Sequence, residues 1–92
     1  MNLNEVKTVY FLGIGGIGMS AIAHFFLRNK CQVFGYDHVS SRITETLTAE
    51  GAKIHFDENV EAIPENVDLV IFTPAIPKKH SEYQYFIENK VP

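Results

Sequence analysis

The sequence predicts an α/β fold of three layers, an open, mostly parallel, doubly wound sheet with helices on both faces. Three observations predict it. Apolar runs of strand length recur at residues 8–12, 31–36, 52–56 and 68–73. Segments of helical periodicity separate the first three runs and follow the fourth. The first run leads straight into four glycines, Gly13, Gly15, Gly16 and Gly18, at the start of a helical pattern. An order β-α-β-α-β-loop-β-α calls for parallel strands joined by right-handed crossovers.

Each element has its own signal. Residues 8–12 are almost wholly apolar, as expected of a strand covered on both faces. From Ile17 to Asn29 the apolar side chains Ile17, Ala21, Ile22, Phe25 and Phe26 recur at helical intervals, which assigns them to one face and leaves Ser20, His24 and Arg28 on another. A second strand over 31–36 ends at Asp37. Ser40 and Ser41 are then N-cap candidates for a helix from about Arg42 to Glu50, and Gly51 stops it. Residues 52–56 form a short third strand, and after a loop around Pro64 residues 68–73 form a fourth, again apolar on both faces. Ser81, followed three residues later by Gln84, makes a capping box that opens a last helix through Tyr83, Phe86 and Ile87.

Composition narrows the function classes. The 92 residues suit one domain spanning 1–92. A hydrophobic fraction of 46% with 21% charged residues fits a soluble globular chain, and no apolar run reaches membrane-spanning length. The opening residues have neither a basic region nor a cleavable apolar segment, so a cytoplasmic location is expected. A net charge of -3 argues against nucleic acid as a partner. Cys31 reads as a small, partly buried residue, and the histidines at 24, 38, 55 and 80 have no metal-ligand spacing with it, so no metal site is expected. The last residues, Asn89 to Pro92, fall where a further strand should begin, and the chain therefore reads as part of a longer polypeptide.

The glycines carry the chemistry. Gly13, Gly15 and Gly18 satisfy G-x-G-x-x-G between a strand and a helix, the context that makes this a Rossmann-like phosphate turn. In this reading Gly13 permits the tight turn, Gly15 and Gly16 remove the β-carbons that would keep a phosphate oxygen from the amides, and Gly18 lets the helix approach the sheet. Unpaired amides and the positive end of the helix dipole then form an anion site, and a pyrophosphate is its expected occupant. Asp37, at the end of the second strand, is placed to accept from a nucleoside at the same lip. Thr73, Pro74, Ala75 and Ile76 leave the fourth strand on that edge and are candidates for the opposite wall, or an ordinary turn. Arg42, Lys78 and Lys79 lie near it as solvated cations. No catalytic constellation and no nucleoside-triphosphate loop is present. His55 reads as a half-buried structural histidine, and Glu58, Glu61 and Glu65 as a solvated acidic face.

Residues 10–23, 33–37, 51–56 and 70–76, taken together, resemble the amino-terminal domain of the Mur ligases over nearly the whole chain. The resemblance implies the first part of a three-domain cytoplasmic enzyme of peptidoglycan biosynthesis. Such an enzyme joins L-alanine to the lactyl carboxylate of UDP-N-acetylmuramate, with ATP cleavage and magnesium supplied through other domains. Carried over by position, Gly15, Gly16, Ile17, Gly18, Met19 and Ser20 face the pyrophosphate, while Asp37 and Thr73 to Ile76 face the uridine or its ribose. Many relatives have a Gly-His pair after the third strand, whereas this chain reads Phe56-Asp57-Glu58. Whether His55 or Asp57 takes its place is left open by the sequence, because strand alternation equally well turns His55 away. An NAD-sensing dinucleotide-binding regulatory module remains the alternative, because Asp37 fits it as well. That alternative does not call for Met19-Ser20 or for the turn from Thr73 to Ile76.

Overall fold

A computed structural model describes residues 3–92; the first two residues of the opening stretch lie outside it. Strands β1 (Thr8–Leu12), β2 (Gln32–Tyr36), β3 (Lys53–His55) and β4 (Leu69–Phe72) form one sheet in the order β3-β2-β1-β4, with every pairing parallel. Helices α1 (Ile17–Arg28), α2 (Arg42–Ala49) and α3 (Ser81–Glu88) complete the three layers. The expected element order is therefore observed, and the loop before β4 adds a single 3-10 turn at Val60–Ala62.

Parallel pairing needs both sheet faces covered, and the core divides accordingly. Val9, Phe11, Ile14 and Val33 meet Ala23 and Phe26 of α1 and Leu47 of α2 on one side. Tyr10, Leu12 and Tyr36 meet Phe86 of α3 and Ile63 on the other. Central β1 is completely buried from Val9 to Leu12. Edge strand β4 is only half covered and Phe72 is exposed, so its apolar composition does not signal two covered faces. Its outer edge is met by the Pro92 carbonyl, which accepts from the Val70 amide at 2.7 Å.

At two helices local expectations fail for identifiable reasons. The buried residues of α1 are Ser20, Ala23 and Phe26, with Met19 and Leu27 partly buried, whereas Ile17, Ala21, Ile22 and Phe25 face outward. Small side chains at 20 and 23 let the helix lie close to the sheet, and that close approach outweighs the pull of the larger apolar stripe. Gly18 does not serve this contact, because a β-carbon there would meet nothing within 4 Å. The second failure is the cap of α3. His80, not Ser81, is its N-cap: Nδ1 of His80 accepts from the Glu82 amide at 3.1 Å. Ser81 instead donates its amide to Glu58 Oε1 at 2.8 Å, and the Gln84 side chain donates to the Lys78 carbonyl.

Beneath α3 a buried polar hub fixes the layers. The Glu82 carboxylate is fully buried and accepts from the Tyr10 hydroxyl, from His55 Nε2 at 2.8 Å and from the Asn59 amide at 2.8 Å. Burial, and then the hydrogen bond to Glu82, push the Tyr10 hydroxyl far above its ordinary range, so it remains a donor. His55 is thus a structural residue in this hub, as its place in a short strand predicts, and it does not enter the cleft described next.

Candidate functional site

At the carboxyl ends of the strands lies a cleft of about 640 Å³, the location expected of a ligand site in a doubly wound sheet. One wall is the turn from β1 to α1. Gly13 has a φ of 95°, a conformation that favours glycine, and a β-carbon there would stand 2.4 Å from Thr73 Cγ2. The turn and the end of β4 therefore interlock. Amides of Gly13 and Ile14 donate back to the Tyr36 carbonyl at 2.8 and 3.1 Å, and the Gly15 amide donates to Asp37 Oδ2 at 2.8 Å. A β-carbon on Gly15 would lie 2.7 Å from that oxygen. Gly15 is thus required by a protein contact, and its amide is already engaged.

The open amides come one step later. Helix α1 begins at an N-cap, Gly16, that supplies no side-chain acceptor. Among the described residues no acceptor meets the N–H groups of Ile17, Gly18 or Met19. The other two helices start differently. Ser41 and Thr44 close a reciprocal capping box on α2, while His80 and Glu58 serve the first amides of α3. Among the described residues, α1 is the one of the three whose first-turn amides all lack a protein acceptor, whereas α2 leaves open those of Arg42 and Ile43 and α3 that of Tyr83. Beside them Ile17 is 84% exposed and Gly18 opens onto free space.

The structure brings Gly13, Gly15, Gly16, Asp37, Thr73, Ala75 and Ile76 together as lining of the cleft. Ile17, Gly18 and Met19 follow on the first turn of α1, outside that lining. Ser20 is not brought in: it is buried, and its hydroxyl donates to the Ile17 carbonyl at 2.9 Å. Exposed Pro74 shapes the turn without lining the cleft, and Arg42, Lys78 and Lys79 are exposed and take no part in its walls. Sequence reasoning misses Tyr36, His38, Val39, Glu58, Pro77 and His80. Glu58, read as part of a solvated face, is a wall residue, and after β3 it lines the cleft where neither His55 nor Asp57 does. The available signal was its position just past a strand end on the binding edge.

Burial first, and then Glu58, Glu82, Asp37 and Asp57, raise the Tyr36 hydroxyl above its ordinary value. His80 is 4% exposed, its ring stands 4.6 Å from that of Tyr36, and its Nε2 has no hydrogen-bond partner. The open donors at the start of α1 favour an anion there. Among the described residues no group of three or more His, Cys, Asp or Glu is placed to hold a metal, and no helix is long and apolar enough to cross a membrane.

Residues 8–92 match the family described as "Mur ligase family, catalytic domain". The chain is 52% identical to a UDP-N-acetylmuramate--L-alanine ligase of Flavobacterium johnsoniae and 49% identical to that of Flavobacterium psychrophilum. These matches cover 97% and 98% of this chain, and 21% of each relative. Among solved structures, the UDP-N-acetylmuramate-alanine ligase of Thermotoga maritima superposes with a TM-score of 0.87 at 33% identity, over 96% of this chain and 20% of that one. A murein peptide ligase of Psychrobacter arcticus shares the fold, with a TM-score of 0.82 at 20% identity over 92% of this chain and 18% of that one. The chain thus spans about a fifth of the length of the curated relatives it matches. With the family match running from the first strand to the last residue, the chain belongs to the Mur ligase family.

Proposed function

We propose that this domain binds the UDP moiety of UDP-N-acetylmuramate, for a cytoplasmic, ATP-dependent ligase that joins L-alanine to that nucleotide in peptidoglycan biosynthesis. The observation that carries the reading is the uncapped start of α1, which leaves three amides for an anion while α2 and α3 are capped. In this reading Ile17, Gly18 and Met19 hold the diphosphate, with Gly16 leaving room for its oxygens. The nucleoside lies along the cleft between Asp37 with His38 and the turn from Thr73 to Ile76. The names of the relatives support the substrate.

The role is positional. Binding energy collected on the diphosphate orients a carboxylate whose chemistry is performed elsewhere. The described residues hold no cluster fit for magnesium, so no step through ATP or magnesium is assigned to them. Titration calorimetry tests the reading with UDP, UDP-N-acetylmuramate and NADH. The two uridine nucleotides should bind and NADH should bind more weakly; tighter binding of NADH overturns the assignment.

A further inference from the structure

We infer that Asp37 is a positioning residue of the cleft, a clamp that holds the glycine turn so that the amides of Ile17, Gly18 and Met19 face outward, and not a ligand of the ribose. The inference rests on the proposed diphosphate site for the identity of the anion. Its physical basis is independent of any ligand.

Both carboxylate oxygens of Asp37 are already engaged. Oδ2 accepts from the Gly15 amide at 2.8 Å, while Oδ1 accepts from the Val39 amide at 3.3 Å and lies 3.3 Å from His38 Nδ1. The residue is 8% exposed, which leaves a ribose diol little access to the lone pairs that remain. Together with the Gly13 and Ile14 amides on the Tyr36 carbonyl, the Asp37 bond ties three consecutive amides of the turn to the end of β2. Hydrogen bonds to an ionised acceptor are the strong ones, and this one sits just ahead of the first open amide. Space confirms the arrangement. A β-carbon at Gly15 would stand 2.7 Å from Oδ2 and 3.2 Å from Thr44 Cγ2, so the glycine permits the clamp itself. A carboxylate beside a diphosphate is otherwise repulsive, and the two amide donors offset its charge.

Amide hydrogen exchange of the unchanged chain, read by NMR, is the first test. The Gly15 amide should exchange markedly more slowly than those of Ile17, Gly18 and Met19; equal rates overturn the clamp. The second test compares UDP with inorganic pyrophosphate on Asp37→Ala and Asp37→Asn. Loss of a charge-assisted bond that orders the turn should weaken both ligands by a similar factor, about tenfold, in Asp37→Ala. Asp37→Asn keeps an acceptor for Gly15 and should fall between the wild type and Asp37→Ala for both ligands. UDP weakened with pyrophosphate unmoved would make Asp37 a ribose ligand and overturn the inference, as would an Asn variant as poor as the Ala variant. A protected Gly15 amide in a chain that binds neither ligand defeats the diphosphate reading and this inference with it. An unprotected Gly15 in a chain that binds both defeats the inference alone.

Discussion

Helices α1 and α3 start at the same edge of the sheet, a few residues past neighbouring strands, yet their first turns are built in opposite ways. At α3 the protein spends its own acceptors: Glu58 takes the Ser81 amide and His80 the Glu82 amide, with the Glu82 side chain buried beneath. At α1 the cap is a glycine without a side chain, and three amides stay open. A glycine in place of a side-chain cap costs stability, on the order of a few tenths of a kcal/mol. Leaving that cost in place at one helix only, beside a cleft, is the pattern of a binding site, whereas closing the other is the pattern of a scaffold.

Changes at the two ends should therefore have different signatures. The largest effect is expected at α3: Glu82→Ala removes the acceptor of Tyr10, His55 and Asn59 together and should lower unfolding free energy by about 3 kcal/mol in urea titration. A loss below about 1 kcal/mol would mean that the hub is not what holds this end. Next is Gly16→Asp at α1, where φ is -67° and a β-carbon meets Met19 no closer than 3.6 Å. The new carboxylate should cap the open amides, raising stability by about 0.5 kcal/mol. The same change should weaken UDP by about tenfold or more, by occupying the donors and repelling the anion. Gains in both quantities, or losses in both, would break the contrast.

A smaller effect depends on pH. The Ser81 amide, then the Ser81 side chain, hold the Glu58 carboxyl below its ordinary value of 4.5, and the Lys7 and Thr8 amides do the same for Asp68 below 3.8. For a carboxylate whose folded pKa is lowered, the stabilisation is complete above the unfolded pKa and is lost as pH falls through the folded one. Stability should therefore decline on acidification below about pH 4.5, and Glu58→Gln should make that decline shallower.

Much of this was readable in the residues, and the failures have a common cause. Strand runs, the glycine turn and the parallel order are local signals, and each falls within a residue or two of its expected place. The buried face of α1 was not readable: Ile17, Ile22 and Phe25 dominate the apolar pattern, but close packing on the sheet selects Ser20 and Ala23. The cap of α3 depends on Glu58, which is distant in sequence, so the local Ser81 to Gln84 pattern misleads. Gly15 was legible as a glycine that must be there, but its reason, the Asp37 carboxylate, depends on the register between β1 and β2. The far wall, with Tyr36, Glu58 and His80, converges from three elements and has no motif.

The most direct test of the account is an amide NMR titration of the chain with UDP. Resonances of Ile17, Gly18 and Met19 should show the largest shifts, with Gly13 and Ile14, bound to the Tyr36 carbonyl, moving less. Binding of UDP that leaves the amides of 17–19 unmoved would contradict it.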